Sequence, residues 1–226
     1  MKSVQRYHLS CFVVLLLCLT VVPAVAAQYR YQEQKGKEIT AVTVTREKQG
    51  NLLRTEISKN DVTTVSFNDP GGFGATSHWQ LNIGTTKSYS VIREKNFLTI
   101  SGKAEGEPHE NTAGLDDKPW LQDLGYSFAK FIKTPHRDLF FWTIQEGALE
   151  PTLLMARKRG SETITLNGQS VVTQKIEISS NDIFLKLWRA FYWFRDNDGL
   201  LIQYRSDPGI PGMSVTVGTL IESLNN

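Results

Sequence analysis

The sequence predicts a mainly β protein: a curved antiparallel sheet, or half-barrel, of about ten strands wrapped around one central amphipathic helix. Three observations predict this fold. Apolar and polar residues alternate with a period of two in many short runs, turns rich in Gly and Asn separate these runs, and one segment in the middle of the chain has helical spacing instead. One apolar and one wet face on the same strand are typical of antiparallel sheets.

The first 27 residues have the order of a secretory signal. Lys2 and Arg6 precede an apolar run, and small residues follow it up to Ala27. The run is shorter than the roughly 20 apolar residues that a transmembrane helix needs, and an uncleaved N-terminal anchor is the alternative. We therefore expect a signal peptide over 1–27 and a single domain over 28–226. This domain is expected in the periplasm or outside the cell, with no transmembrane span after processing.

Cysteine content and charge exclude several classes of protein. Both cysteines, Cys11 and Cys18, lie in the signal, so the mature chain has neither a disulfide nor a thiol nucleophile. Two of the 25 basic residues and none of the 23 acidic residues precede Gln28, so the mature chain carries 23 charges of each sign. A chain without net charge lacks the electrostatic footprint of a nucleic-acid-binding protein, and we expect no nucleic-acid partner.

The alternating runs are spread through the mature chain. Val42 and Val44 share one face of the first run, and residues 79–83, 172–178 and 213–221 alternate in the same way. The turns between such runs contain Gly and Asn, which supply the positive φ angles of tight hairpins. This pattern predicts a meander of short antiparallel strands.

One segment near the middle of the chain predicts the helix. Asp116 or Asp117 can cap it, Pro119 suits its first turn, and Pro135 ends it. Its apolar residues recur at helical spacing and form one stripe. We expect the helix over about 118–133.

The strands after the helix are unusually aromatic. If the curved sheet is not filled by one helix, the apolar stripe of the helix and the aromatic strands would line a ligand cavity. The packed-core alternative stays open, because large apolar residues are usually buried. The candidate ligand-binding residues are Trp120, Leu124, Phe128, Phe131, Phe140, Trp142, Trp188, Tyr192, Phe194, Ile202 and Tyr204.

Four motifs in the C-terminal half support a resemblance to a known family. They are Lys118-Pro119-Trp120-Leu121, Ile164-Thr165-Leu166-Asn167-Gly168, Tyr192-Trp193-Phe194-Arg195 with Asp198-Gly199, and Pro208-Gly209-Ile210-Pro211-Gly212. With these motifs the chain resembles a family of uncharacterised secreted bacterial proteins, described only as a domain of unknown function. The order of its elements is similar to the half-barrel superfamily of lipoprotein carriers such as LolA and LolB. The resemblance implies a cavity able to take acyl chains, and it assigns no ligand-binding residue.

Catalytic and metal-binding signals are weak. The mature chain has three histidines, His78, His109 and His136, and it lacks both a Gly-x-Ser-x-Gly and a His-Glu-x-x-His motif. Glu105, Glu107 and His109 would share a face of an extended segment and could hold a divalent cation. A solvated loop is the simpler interpretation, because Gly and Pro interrupt this segment. We expect no catalytic residue, no metal site and no cofactor.

Three functions remain open. The first is a non-catalytic binder or carrier of an apolar small molecule, a lipid or a lipoprotein, and it predicts a cavity lined only by apolar side chains. The second is a non-catalytic envelope assembly or docking factor that contacts other envelope proteins, and it predicts that the aromatic residues are exposed as a patch or fully packed with no cavity. The third, a hydrolase with an unrecognised site, has the least support and predicts a cleft where a histidine meets a carboxylate and a hydroxyl.

The signal-peptide prediction can be tested on exported protein. Because the small residues up to Ala27 follow the apolar run, we expect the mature chain to begin at Gln28 or within two residues of it. Intact-mass measurement would show the cleavage point. Recovery of the full precursor mass from a membrane fraction would contradict the prediction.

Overall fold

A computed structural model of the protein describes residues 26–144, 149–180, 188–210 and 212–225. All but the last two residues of the predicted signal peptide lie outside the described residues. The described part of the chain forms fourteen strands and one helix. In chain order they are β1 Ala27–Lys35, β2 Glu38–Gln49, β3 Leu52–Lys59, β4 Val62–Asn68, β5 Thr76–Ile83, β6 Lys87–Glu94, β7 Phe97–Ala104, β8 Glu107–Gly114, α1 Leu124–Phe131, β9 Asp138–Ile144, β10 Pro151–Leu166, β11 Gln169–Ser180, β12 Arg189–Arg195, β13 Leu201–Asp207 and β14 Thr216–Asn225.

The strands belong to one antiparallel sheet that is built from two meanders. Strands β1 to β8 pair in sequence order, strands β9 to β14 do the same, and β1 pairs with β14 at the junction. The sheet is open and curved, with β8 and β9 at its two edges. The prediction of a mainly β, antiparallel sheet around one helix is therefore confirmed.

The predicted number of about ten strands is wrong, because polar strands carry little apolar signal. Strand β8 shows this most clearly, since it contains no large apolar residue. The segment around Glu105 that was expected to be a solvated loop forms the turn and second strand of the β7–β8 hairpin. Glu105 and Gly106 adopt the positive φ angles, 55° and 91°, that this tight turn requires.

The helix is also shorter than predicted and begins later. It starts after Asp123, which caps it, rather than after Asp116 or Asp117. The preceding residues are extended because they bond to β9: Leu121 N–H donates to Trp142 O and Trp142 N–H donates to Pro119 O, each at 2.8 Å. Two backbone hydrogen bonds to a sheet edge thus replace the first turns of the expected helix. Among the described residues, no helix has the length and apolar character to cross a membrane.

The helix packs into the concave face of the sheet, and Phe128 is at the centre of the contact. Its ring lies edge-on to Phe141 at 5.5 Å and to Tyr192 at 5.6 Å. The core cluster around it takes buried residues from β1, β2 and β9 to β14. A second buried cluster, which includes Trp120, covers the concave face of β5 to β7. Two separate cores therefore line one continuous sheet.

Truncation of Phe128 tests the packing of the helix. Because Phe128 is fully buried, Phe128→Ala should lower the free energy of unfolding by about 3–5 kcal/mol. Phe97 is the matched control, since it is 56% exposed, and Phe97→Ala should change stability by less than about 0.5 kcal/mol. Urea unfolding followed by circular dichroism measures both. Equal, small effects would mean that the helix does not pack on the sheet.

Candidate ligand-binding cavity

A cavity of about 470 Å³ lies between the N-terminal end of α1 and the concave face of the sheet. Its walls come from β1 to β4 on one side and from β12 and β13 on the other. The middle of the cavity is apolar and is formed by Val42, Val44, Ile57, Leu124 and Leu201. Both meanders are therefore needed to enclose it.

Arg46 and Asp123 form one polar end of the cavity. Alternation along β2 places Arg46 on the same face as Val42 and Val44, so its side chain points inward rather than to solvent. Arg46 Nε donates to Asp123 Oδ2 at 3.2 Å, and Arg46 Nη2 donates to Asp123 Oδ1 at 3.0 Å. The same carboxylate caps the helix by accepting the Tyr126 backbone N–H at 3.0 Å. One side chain thus serves both as helix cap and as counter-ion.

The ion pair is largely buried, and a buried charge is stable only when it is paired. The Asp123 side chain is 2% exposed and that of Arg46 is 15% exposed. Burial alone would lower the pKa of Arg46, but the adjacent Asp123 carboxylate raises it above its ordinary value. Gly125 makes room for the guanidinium, because a β-carbon at this position would lie 3.0 Å from Arg46 Nη2. Gly125 therefore lets the Arg46 guanidinium lie close to the backbone of the helix.

Glu33, Lys59 and Tyr204 form the opposite polar end. Tyr204 Oη–H donates to Glu33 Oε2 at 2.7 Å, and Lys59 forms an ion pair with the other carboxylate oxygen. The Tyr204 ring lies flat against β14 because its partner there is Gly218, where a β-carbon would lie 2.1 Å from Tyr204 Cζ. Any side chain at Gly218 would push the ring off the strand and away from Glu33.

The tyrosines of the cavity are neutral hydrogen-bond donors. Burial raises the pKa of Tyr192 to about 12. Burial also raises the pKa of Tyr31 and of Tyr204, and the hydrogen bond to Glu33 raises that of Tyr204 further. Tyr31 Oη–H donates to Leu201 O at 3.0 Å. None of these hydroxyls is activated as a nucleophile or base near neutral pH.

The arrangement is suited to an amphiphile rather than to a pure hydrocarbon. Along β2, Arg46 is six residues from the partner of Glu33 and four from the partner of Lys59, which is roughly 13–20 Å of extended strand, with the apolar wall between the two ends. The expectation of a cavity lined only by apolar side chains is wrong. On β1, β2 and β3 the face that carries the apolar residues ends in a charged residue, and these residues, Glu33, Arg46 and Lys59, also line the cavity. An elongated ligand with an apolar body and a polar group would satisfy both kinds of surface.

The residues predicted to bind ligand divide between the cavity wall and the core behind it. Those that line the cavity are Leu124, Tyr192 and Tyr204. Those that pack in the core cluster around the helix are Phe128, Phe131, Trp188, Phe194 and Ile202. The aromatic strands therefore mostly support the cavity from behind.

Trp120, Phe140 and Trp142 do not border the cavity. Trp120 is fully buried in the second cluster. On β9 the residues that face the core are Leu139 and Phe141, so alternation turns Phe140 to the outer face, where it is 40% exposed. Trp142 Nε1–H donates to the Asp116 carboxylate at 2.8 Å. The predicted face of β9 was displaced by one residue.

Sequence reasoning missed the charged residues at both ends of the cavity. Arg46, Glu33 and Lys59 each stand in phase with an apolar face of their own strand. A charged residue at such a position is directed toward the core side of the sheet, where it needs a partner. The alternation along each strand could therefore have identified these charged residues as inward-facing. The partner of Arg46 was not predictable from it, because Asp123 belongs to a segment 77 residues away.

None of the three histidines is hydrogen-bonded or ion-paired to a carboxylate of the described residues. His78 Nε2 is 2.9 Å from Ser90 Oγ and its ring stacks on Phe67, while burial lowers its pKa. His109 packs edge-on to Tyr89, and His136 packs edge-on to a phenylalanine. Within the described ranges, no group of three or more His, Cys, Asp or Glu side chains is placed to hold a metal ion.

Comparison with known proteins identifies the fold. No family model matches the chain, and no curated protein is similar to it in sequence. The chain is similar to a solved structure of a beta-barrel-like protein of domain of unknown function DUF1849 from Brucella abortus. The two share 11% identity and a TM-score of 0.58 over 90% of this chain and 99% of the other. This likeness shows a shared fold.

Two further solved structures are similar at lower scores. One is a DUF1329 family protein from Desulfovibrio piger, with 10% identity and a TM-score of 0.29 over 90% of this chain and 86% of the other. The other is a LolA superfamily protein from Nitrosomonas europaea, with 6% identity and a TM-score of 0.24 over the same shares. The predicted resemblance to a family of unknown function is confirmed by the DUF1849 structure, as a statement about the fold alone.

Removal of one charge tests the Arg46–Asp123 pair. Asp123→Asn keeps a side chain that can cap the helix but leaves Arg46 buried without a counter-ion. We expect a loss of about 3–5 kcal/mol in the free energy of unfolding. The double variant Arg46→Met, Asp123→Asn should recover most of it, because no buried charge remains.

A pair on the surface supplies the control for this experiment. Arg30 and Glu222 are 51% and 42% exposed, so Glu222→Gln should cost less than about 1 kcal/mol. Urea unfolding measures all four proteins. If Asp123→Asn costs no more than Glu222→Gln, the cavity end is not held by the ion pair.

Proposed function

We propose that this protein is an exported, non-catalytic carrier that binds a small amphiphilic or lipid-like molecule in the cavity between α1 and the sheet. The observation that carries the proposal is the cavity itself, with an apolar middle and hydrogen-bonding groups at both ends. Its volume of about 470 Å³ is within the 300–1,000 Å³ that is usual for small-molecule sites. A packed docking factor has no need for such a space.

Two further observations support parts of this proposal. The basic, apolar and small-residue order of the first 27 residues supports export. The positions of the histidines support a non-catalytic role, because each contacts an aromatic ring or a serine. Among the described residues, none of their rings accepts or donates a hydrogen bond to a carboxylate.

Filling the cavity tests the proposal. The neutral fluorophore N-phenyl-1-naphthylamine brightens in apolar surroundings and should bind the protein at one saturable site. Ile57→Phe with Val62→Phe adds volume to the cavity wall, so the affinity should fall at least tenfold. Fluorescence titration gives the dissociation constants, and circular dichroism checks that both proteins are folded.

A control variant adds the same rings elsewhere. Ile92 and Val172 are exposed hydrophobic residues that do not line the cavity, so Ile92→Phe with Val172→Phe should leave the affinity unchanged. Undiminished binding in the filled variant would place the probe outside the cavity. Absence of saturable binding in the unmodified protein would favour the docking-factor alternative.

A further inference from the structure

A second cavity, which we call the lysine groove, lies on the other side of Arg46. It has a volume of about 670 Å³ and is bounded by α1, the adjoining parts of β1, β2 and β3, and the turn between β12 and β13. Its floor is apolar and is formed by Tyr29, Leu53, Ala129 and Leu200. Arg46 lines both spaces, and its bond to Asp123 stands between them.

Positive charge accumulates around the lysine groove. Two of its cations are neutralised, since Arg46 pairs with Asp123 and Arg195 pairs with Asp198. The remaining cations are Lys48, Lys130 and Lys133. Of these, Lys130 donates a hydrogen bond to Pro70 O and lies 5.3 Å from the centre of the Tyr126 ring. In the described part of the chain, none of these three lysines forms an ion pair with a carboxylate. The one further carboxylate of the groove, that of Glu47, pairs with Arg54, which also pairs with Glu56.

The composition of the chain does not account for this charge. Basic and acidic residues are equal in number from Gln28 onward, so three cations without a carboxylate partner around one apolar floor are a local feature. Lys130 and Lys133 stand at the C-terminal end of α1, where the helix dipole favours cations. That explanation does not extend to Lys48, which is on β2 and faces the groove from the sheet.

We propose that the lysine groove binds the anionic head and the adjoining alkyl chain of an amphiphile, with a phosphate or carboxylate on the lysines and the chain on the apolar floor. This site is separate from the cavity proposed above, where Glu33 and Asp123 neutralise the cations Lys59 and Arg46. Clustered basic residues attract anionic head groups, and the apolar floor adds binding energy for the chain.

Isothermal titration calorimetry with three probes tests the proposal. Octyl phosphate has both parts, 1-octanol has the chain without the charge, and inorganic phosphate has the charge without the chain. We expect octyl phosphate to bind at least tenfold more tightly than either of the others, and its affinity to fall as ionic strength rises. Binding of inorganic phosphate as tight as that of octyl phosphate would overturn the role of the floor.

Charge-neutralising variants locate the site. Lys48→Gln with Lys133→Gln should weaken octyl phosphate binding about tenfold and leave 1-octanol binding unchanged. Lys95 and Lys103 are exposed lysines remote from the groove, so Lys95→Gln with Lys103→Gln should change neither. An equal loss in both variants would show a general charge effect and overturn the proposal. The neutral probe and the filled cavity variant described above test the other cavity independently of these results.

Discussion

The position of the helix depends on the ion pair between Arg46 and Asp123. Asp123 ends an extended segment and caps α1, and Arg46 holds that cap against β2 through two hydrogen bonds. Buried charges persist in a folded protein only when they are paired. The helix can therefore begin only where its cap meets the guanidinium. This one constraint fixes the N-terminal end of α1. It also leaves the first cavity beside that end and separates this cavity from the lysine groove.

The extended segment before the helix also joins distant parts of the sheet. Trp120 O accepts the Thr76 backbone N–H at 2.8 Å, and Gln122 N–H donates to Thr76 Oγ1 at 2.9 Å. On the other side the Gln122 side chain accepts the Ile144 backbone N–H and donates to Ile144 O. The segment thus bonds to β5 and to β9, and it covers the backbone of an edge strand that would otherwise be open to pairing with another chain.

The sequence was sufficient for the class of fold, because alternation and hairpin turns are local signals. It was insufficient where a distant partner decides the structure. Pro119 fits the first turn of a helix and Trp120 fits its apolar stripe, yet hydrogen bonds to the edge of β9 hold both in an extended conformation. Phe140 fits an aromatic face, yet the register of β9 directs it outward. Arg46 was predictable as an inward-facing charge from its parity with Val44, but Asp123 as its partner required the fold.

The junction between β1 and β14 has a consequence for how the protein folds. Arg30 and Glu222 pair across it although they are 192 residues apart, whereas the hairpins of each meander join neighbours in sequence. Local pairings form quickly, and contacts of high sequence separation form slowly. Because β1 to β4 and β12 to β13 both contribute walls to the first cavity, that cavity exists only after the junction has closed. A molecule bound in this cavity would stabilise only the state with the closed junction, by RT ln(1 + [L]/Kd). The bound molecule would therefore oppose opening of the junction, as the side chains of the core do.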